Sequence, residues 1–117
     1  MFKRFIFALI FSSSAVFADP PKIEAASAKQ SGGYWNFDVT LNHADTGWDH
    51  FADAWRVVDM EGNELGLRNL AHPHVNEQPF TRSLSGVEIP AGIKEVGIQA
   101  RDNVSGWGSN IKKITLR

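Results

Sequence analysis

A chain of 117 residues with 12 basic and 13 acidic side chains and no cysteine has the size of one domain, and it excludes several kinds of chemistry at once. No thiolate can act as nucleophile or metal ligand and no disulfide can staple the fold, so stability must come from packing. A balanced, slightly acidic surface has no electrostatic reason to seek nucleic acid or anionic lipid.

Residues 1–18 (MFKRFIFALIFSSSAVFA) set Lys3 and Arg4 before an apolar run at residues 5–11, then small residues, with Val16 and Ala18 where a signal peptidase prefers them. This pattern predicts a secretory signal peptide cleaved before Asp19, and residues 19–117 as one mature domain. The apolar run is shorter than the ~20 residues needed to cross a bilayer. No later stretch reads as a membrane span, and without cysteine a lipobox anchor is not expected. The expected location is therefore the periplasm or the outside of the cell. Since Lys3 and Arg4 leave with the leader, the mature chain keeps ten basic against thirteen acidic residues.

In the mature chain a first strand is expected over residues 23–29. Residues 34–41 (YWNFDVTL) put Trp35, Phe37, Val39 and Leu41 on one face and Asn36, Asp38 and Thr40 on the other, the period of a half-buried strand. Residues 54–60 repeat it, with Trp55, Val57 and Asp59 against Arg56 and Val58. Glu61, Gly62 and Asn63 then turn the chain into a hairpin with residues 64–70. Phe80, Arg82 and Leu84 alternate with Thr81 and Ser83, Val96, Ile98 and Ala100 alternate with Gly97, Gln99 and Arg101, and Ile114 with Leu116 closes the chain. No window holds an apolar period of three and four over three turns. Seven short strands joined by turn signals predict an all-β, antiparallel, immunoglobulin-like or fibronectin-III-like sandwich.

The run SGVEIPAGIKEVGIQARD at residues 85–102 resembles the E-to-F region of bacterial domains of that type, which implies the same fold. Three further blocks, GWDHFADAWRVVD at 47–59, HPHVNEQPFTRSLSGVEIPAG at 72–92 and ARDNVSGWG at 100–108, resemble a group of small secreted proteobacterial proteins of unknown role. That resemblance implies no activity.

Consecutive antiparallel strands alternate direction, so alternate connections share one end of a sandwich. Residues 42–53 (NHADTGWDHFAD), 72–79 (HPHVNEQP) and 102–109 (DNVSGWGS) should meet there. Together they carry all four histidines, His43, His50, His72 and His74, with Asp45, Asp49, Asp53, Glu77, Asp102, Trp48 and Trp107. The other end receives plain turns. Loops on a rigid scaffold commonly carry binding residues.

His72 and His74 flank Pro73, which fixes its own φ and biases His72 toward extended geometry, so two imidazoles can project together. With His43 or His50 and Asp45 or Asp49 they form a possible ligand set for Zn²⁺ or Cu²⁺. The competing reading is that the same side chains tie loop backbone and carboxylates together. Trp48 and Trp107 each follow a glycine, and either lid the core or offer a flat surface to a sugar ring or peptide. Arg82 and Arg101 are placed to pair with Glu77 or Asp102. The run from Asp102 to Gly106 lacks the downstream glutamate of a calcium loop and reads as a turn. No GxSxG elbow, GxGxxG or phosphate loop is present, so an enzyme is not expected. Two functions remain. One is a non-enzymatic periplasmic or secreted metal-binding protein. The other is an interaction module that recognises a protein or glycan through the same loops, using Trp48, Trp107, Glu77, Asp102 and Arg82.

Overall fold

The computed structural model describes residues 20–117, so the expected leader and Asp19 lie outside the described residues. Eight strands follow in order: β1 (Lys22–Ser31), β2 (Tyr34–Asn42), β3 (Ala52–Val58), β4 (Glu64–Asn69), β5 (Phe80–Val87), β6 (Glu95–Asp102), β7 (Gly106–Trp107) and β8 (Lys112–Thr115). No helix occurs among the described residues. The strands form two antiparallel sheets, one ordered β1-β2-β5 and one ordered β4-β3-β6 with β7 and β8 both pairing with β6.

The count is eight where seven were expected. The excess lies in the last strand, which is split in two. β7 pairs with Arg101 and Asp102 and β8 with residues 95–98 of the same β6, while the chain between them, at Ser109 to Ile111, leaves the ladder after a last Gly108 N–H bond to the Ala100 carbonyl. A two-residue strand embedded in a loop has no period to read, which is why the sequence pattern shows only the second piece.

One core joins the two sheets. Trp35, Phe37, Val39 and Leu41 of β2 and Phe80 and Val87 of β5 pack with Trp55 and Val57 of β3 and Val96, Ile98 and Ala100 of β6. The period-two alternation that predicted these faces is therefore the physical cause of the layers. Along one edge β4 approaches β5 at Gly66. A Cβ there would stand 3.0 Å from Leu84 Cδ2 and 3.2 Å from Val87 Cγ2. A side chain at that position would require Leu84 and Val87 to give by a few tenths of an ångström.

Val58 departs from the expected pattern, since it points outward yet is buried. Ile111 and Met60 lie over Gly97, beside the Val58 side chain, and a Cβ on Gly97 would run into Ile111. The strand is thus covered on its outer face by a small second cluster. At the start of β3 the register with β6 shifts between Ala52 and Ala54, a bulge at the end of the sheet where the loops gather.

Circular dichroism of residues 19–117 should show β structure with almost no helical signal. Trp55 is fully buried and Trp35 nearly so, so Trp55→Ala and Trp35→Ala should each lower unfolding free energy by ~3–5 kcal/mol. Near-neutral denaturation midpoints for both variants would contradict the core described.

Candidate metal centre at the loop end

The three connections expected at one end do meet: Asp45 ties 42–53 to 72–79, and Asp102 and Asn103 bring 102–109 against 42–53. The Asp45 carboxylate is buried. Oδ1 accepts from His43 Nδ1 at 2.6 Å and from the Ala52 N–H at 3.0 Å, and Oδ2 accepts from the His74 N–H at 2.7 Å. One side chain thus ties the end of β2, the start of β3 and the β4–β5 connection. The bulge at Ala52 is what gives that N–H a partner outside the strand ladder. Gln78 strengthens the same closure: its Oε1 accepts from the His43 N–H at 2.9 Å while its Nε2 donates to the His74 carbonyl at 2.9 Å. A carboxylate removed from water needs this many donors.

Beyond Asp45 lies a second group. His43, its Nδ1 engaged by Asp45, presents Nε2 at 3.9 Å from Asp102 Oδ2, and His50 Nε2 stands 3.7 Å from Asp102 Oδ1. The two imidazoles meet edge to face with centroids 4.7 Å apart. Asp102 is fully buried, and its Oδ1 accepts from the Val104 and Ser105 N–H groups at 2.8 and 2.6 Å, the turn read from the sequence. Asp102 Oδ2 and His50 Nε2 are buried without a hydrogen-bond partner.

One donor atom from each of His43, His50 and Asp102 lies within 4.8 Å of the others, and these are the side chains that come together as a metal-ligating group among the described residues. The separations are too long for hydrogen bonds. Two ligands each about 2.0–2.2 Å from a tetrahedral metal stand about 3.3–3.6 Å apart, so the three donors, at 3.7 and 3.9 Å from Asp102 and within 4.8 Å of one another, would draw in around an ion. The Asp45–His43 contact fixes which His43 nitrogen faces the group, as an outer carboxylate does at metal-bound histidines.

His50 is held in place by Asn103, which the sequence pattern offers only as a turn residue. Asn103 Oδ1 accepts from the Phe51 N–H at 2.8 Å, and its Nδ2 donates to the carbonyls of Trp48 at 3.0 Å and Asp49 at 3.3 Å. Within that loop the Thr46 N–H donates to the His50 carbonyl at 3.0 Å. Gln78 and Asn103 are the positioning residues that the sequence reading does not single out. Their signal was their place in the converging connections, since amides carry no pattern of their own.

The HxH pair is arranged differently. The rings of His72 and His74 do lie side by side, centroids 4.7 Å apart. His74 stacks on Phe80 at 4.0 Å, however, and its Nε2 takes an Arg82 guanidinium N–H at 2.9 Å. The exposed His72 donates Nδ1–H to the Pro73 carbonyl at 3.0 Å. Burial first, and then the Arg82 charge, hold the His74 pKa below its ordinary value of 6.5. Arg82 also pairs with Glu77 at 3.3 Å, as expected, whereas Arg101 pairs with Asp53 at 3.0 Å instead of Glu77 or Asp102. Burial raises the Asp53 pKa although Arg101 opposes the shift.

Asp49 is exposed beside the group, and Asp45 acts through His43. Trp48 is 66% exposed and touches Phe51 edge to face. Trp107 is half-buried on the sheet, with the Arg56 guanidinium 4.0 Å and that of Arg101 5.7 Å from its ring centroid.

No family model matches the chain, and no solved structure matches it. A protein from Halomicrobium mukohataei called "Putative lipoprotein" is 43% identical over 72 residues, which is 62% of this chain and 35% of that protein. The chain thus spans about a third of its relative's length. Because that relative is archaeal, the resemblance is not confined to the proteobacterial group the sequence blocks suggested.

Two outcomes follow from the ties just described. Asp45→Ala strands three buried donors, so it should cost ~3–5 kcal/mol of unfolding free energy, the range for removing one partner of a buried charged contact. An effect below ~1 kcal/mol would mean that the loops close without it. For His74 the folded state prefers the neutral ring, so its stabilising contribution is complete above the unfolded value of 6.5 and is lost as pH falls toward the lower folded value. Denaturation midpoints of His74→Gln should therefore fall less steeply than wild type as pH drops below 6.5. Parallel profiles would contradict a neutral, Arg82-bound His74.

Proposed function

We propose that this is a non-enzymatic protein of the cell envelope or exterior that holds one divalent transition metal between His43, His50 and Asp102. The observation that carries the reading is that two imidazole nitrogens stand against one buried carboxylate, His43 Nε2 at 3.9 Å from Asp102 Oδ2 and His50 Nε2 at 3.7 Å from Oδ1, with His50 Nε2 and Asp102 Oδ2 both lacking hydrogen-bond partners. An unpaired buried carboxylate oxygen is costly, and a cation among the three donors removes that cost. Two imidazoles and one carboxylate suit Zn²⁺ or Cu²⁺, with Cu²⁺ the tighter of the two for such donors. The scaffold is an immunoglobulin-like or fibronectin-III-like sandwich, supported by the division into a β1-β2-β5 sheet and a β4-β3-β6 sheet extended by β7 and β8. The leader pattern at residues 1–18 and a relative called "Putative lipoprotein" support export.

A second reading rests on Trp48, whose ring is largely exposed at the tip of the loop that carries His50. An aromatic held in that way suits a protein or glycan partner, with the histidines acting as structural ties.

Calorimetric titration separates the two. Zn²⁺ or Cu²⁺ should saturate one site on the wild type and raise its melting temperature by mass action. His43→Ala and His50→Ala should each weaken binding by ~100-fold or more, since even outer contacts at metal sites are worth about 10–100-fold. His72→Ala should leave affinity unchanged. Affinity should also decline as pH falls through about 6.5, because imidazole must lose its proton to bind. Equal binding by wild type and the His43→Ala/His50→Ala double variant would sink the metal reading in favour of the interaction module.

A further inference from the structure

Resting on that reading, we infer that the metal keeps one coordination position for a small anion, which reaches it through the cavity beside His43 and His50. Three protein donors leave a tetrahedral ion one ligand short, the arrangement of sites that bind an exchangeable water or substrate. The side chains of His43 and Asp102 are 2% and 0% exposed, whereas that of His50 is 23% exposed although its Nε2 is buried, so the donors lie just beneath the surface on the His50 side. On that side lies an open cavity of about 420 Å³ lined by Pro20, Lys22, Asn42, His43, Ala44 and His50.

Charge decides what fits there. A divalent ion with two neutral imidazoles and one carboxylate retains a net positive charge, and no acidic residue lines the cavity. Lys22 adds an exposed ammonium at the rim, held only loosely by Glu24 at 4.0 Å, and Asn42 engages the same Glu24 oxygen at 3.1 Å. A cation faced by a lysine selects a monovalent or carboxylate-type anion over a neutral or cationic ligand.

Cobalt(II) reports both steps, because its visible spectrum changes with donor set and coordination number. Bound to the protein, Co²⁺ should give bands that shift saturably on addition of azide and, separately, of acetate. Lys22→Glu should weaken azide binding by ~3–10-fold without weakening Co²⁺ binding, because the reversed charge repels the anion and attracts the cation. Co²⁺ bands that do not respond to either anion would overturn the open position while leaving the metal site standing. Absence of Co²⁺ binding would overturn both, and an unaltered azide affinity in Lys22→Glu would remove the lysine from the argument.

Discussion

A buried carboxylate has to be answered by donors, and Asp45 obtains them from three separate segments of chain. His43 lies at the end of β2, Ala52 at the start of β3 and His74 in the β4–β5 connection. Closing the loop end on one anion means that none of these segments can shift without stranding a charge in a low dielectric. The sandwich beneath fixes how far apart the segments start. Asp45 fixes how they finish, and it also sets the orientation of His43.

That orientation gives the loop end its chemical character. Asp45 is satisfied on both oxygens, whereas Asp102 receives backbone donors on Oδ1 and none on Oδ2. Two buried carboxylates stand in one loop cluster, one closed and one open, and the open one faces two imidazole nitrogens. Proteins rarely leave such an atom without a partner. A cation placed among the donors would satisfy His50 and Asp102 together and leave the turn bonds on Asp102 Oδ1 in place.

Much of this was legible in the sequence because it depends on period and parity. Alternation along residues 34–41 gave the inward face of β2 correctly, and counting strand directions gathered the three connections at one end. What was not legible depends on contacts between distant residues. Val58 is buried because Ile111 and Met60 cover an outer face, a fact no local pattern contains. The pattern HPH drew attention to His72 and His74 as donors; in the fold Arg82 takes His74 Nε2 and Phe80 stacks on its ring, while His74 Nδ1 is buried without a partner. Asp102 was read among the residues of a binding surface, and its burial against His43 and His50 follows only from the folded positions of β6 and the β2–β3 loop. Spacing along the chain indicates which residues can share a loop, and packing decides which nitrogen atoms remain free.

The account stands on a metal lying between His43, His50 and Asp102, and anomalous diffraction tests that most directly. Crystals of the untagged protein grown with Zn²⁺ should show one strong anomalous peak at the zinc edge, within about 2.0–2.2 Å of a nitrogen of each histidine and an oxygen of Asp102. A map without a peak at that position, or with its principal peak at His72, would contradict it.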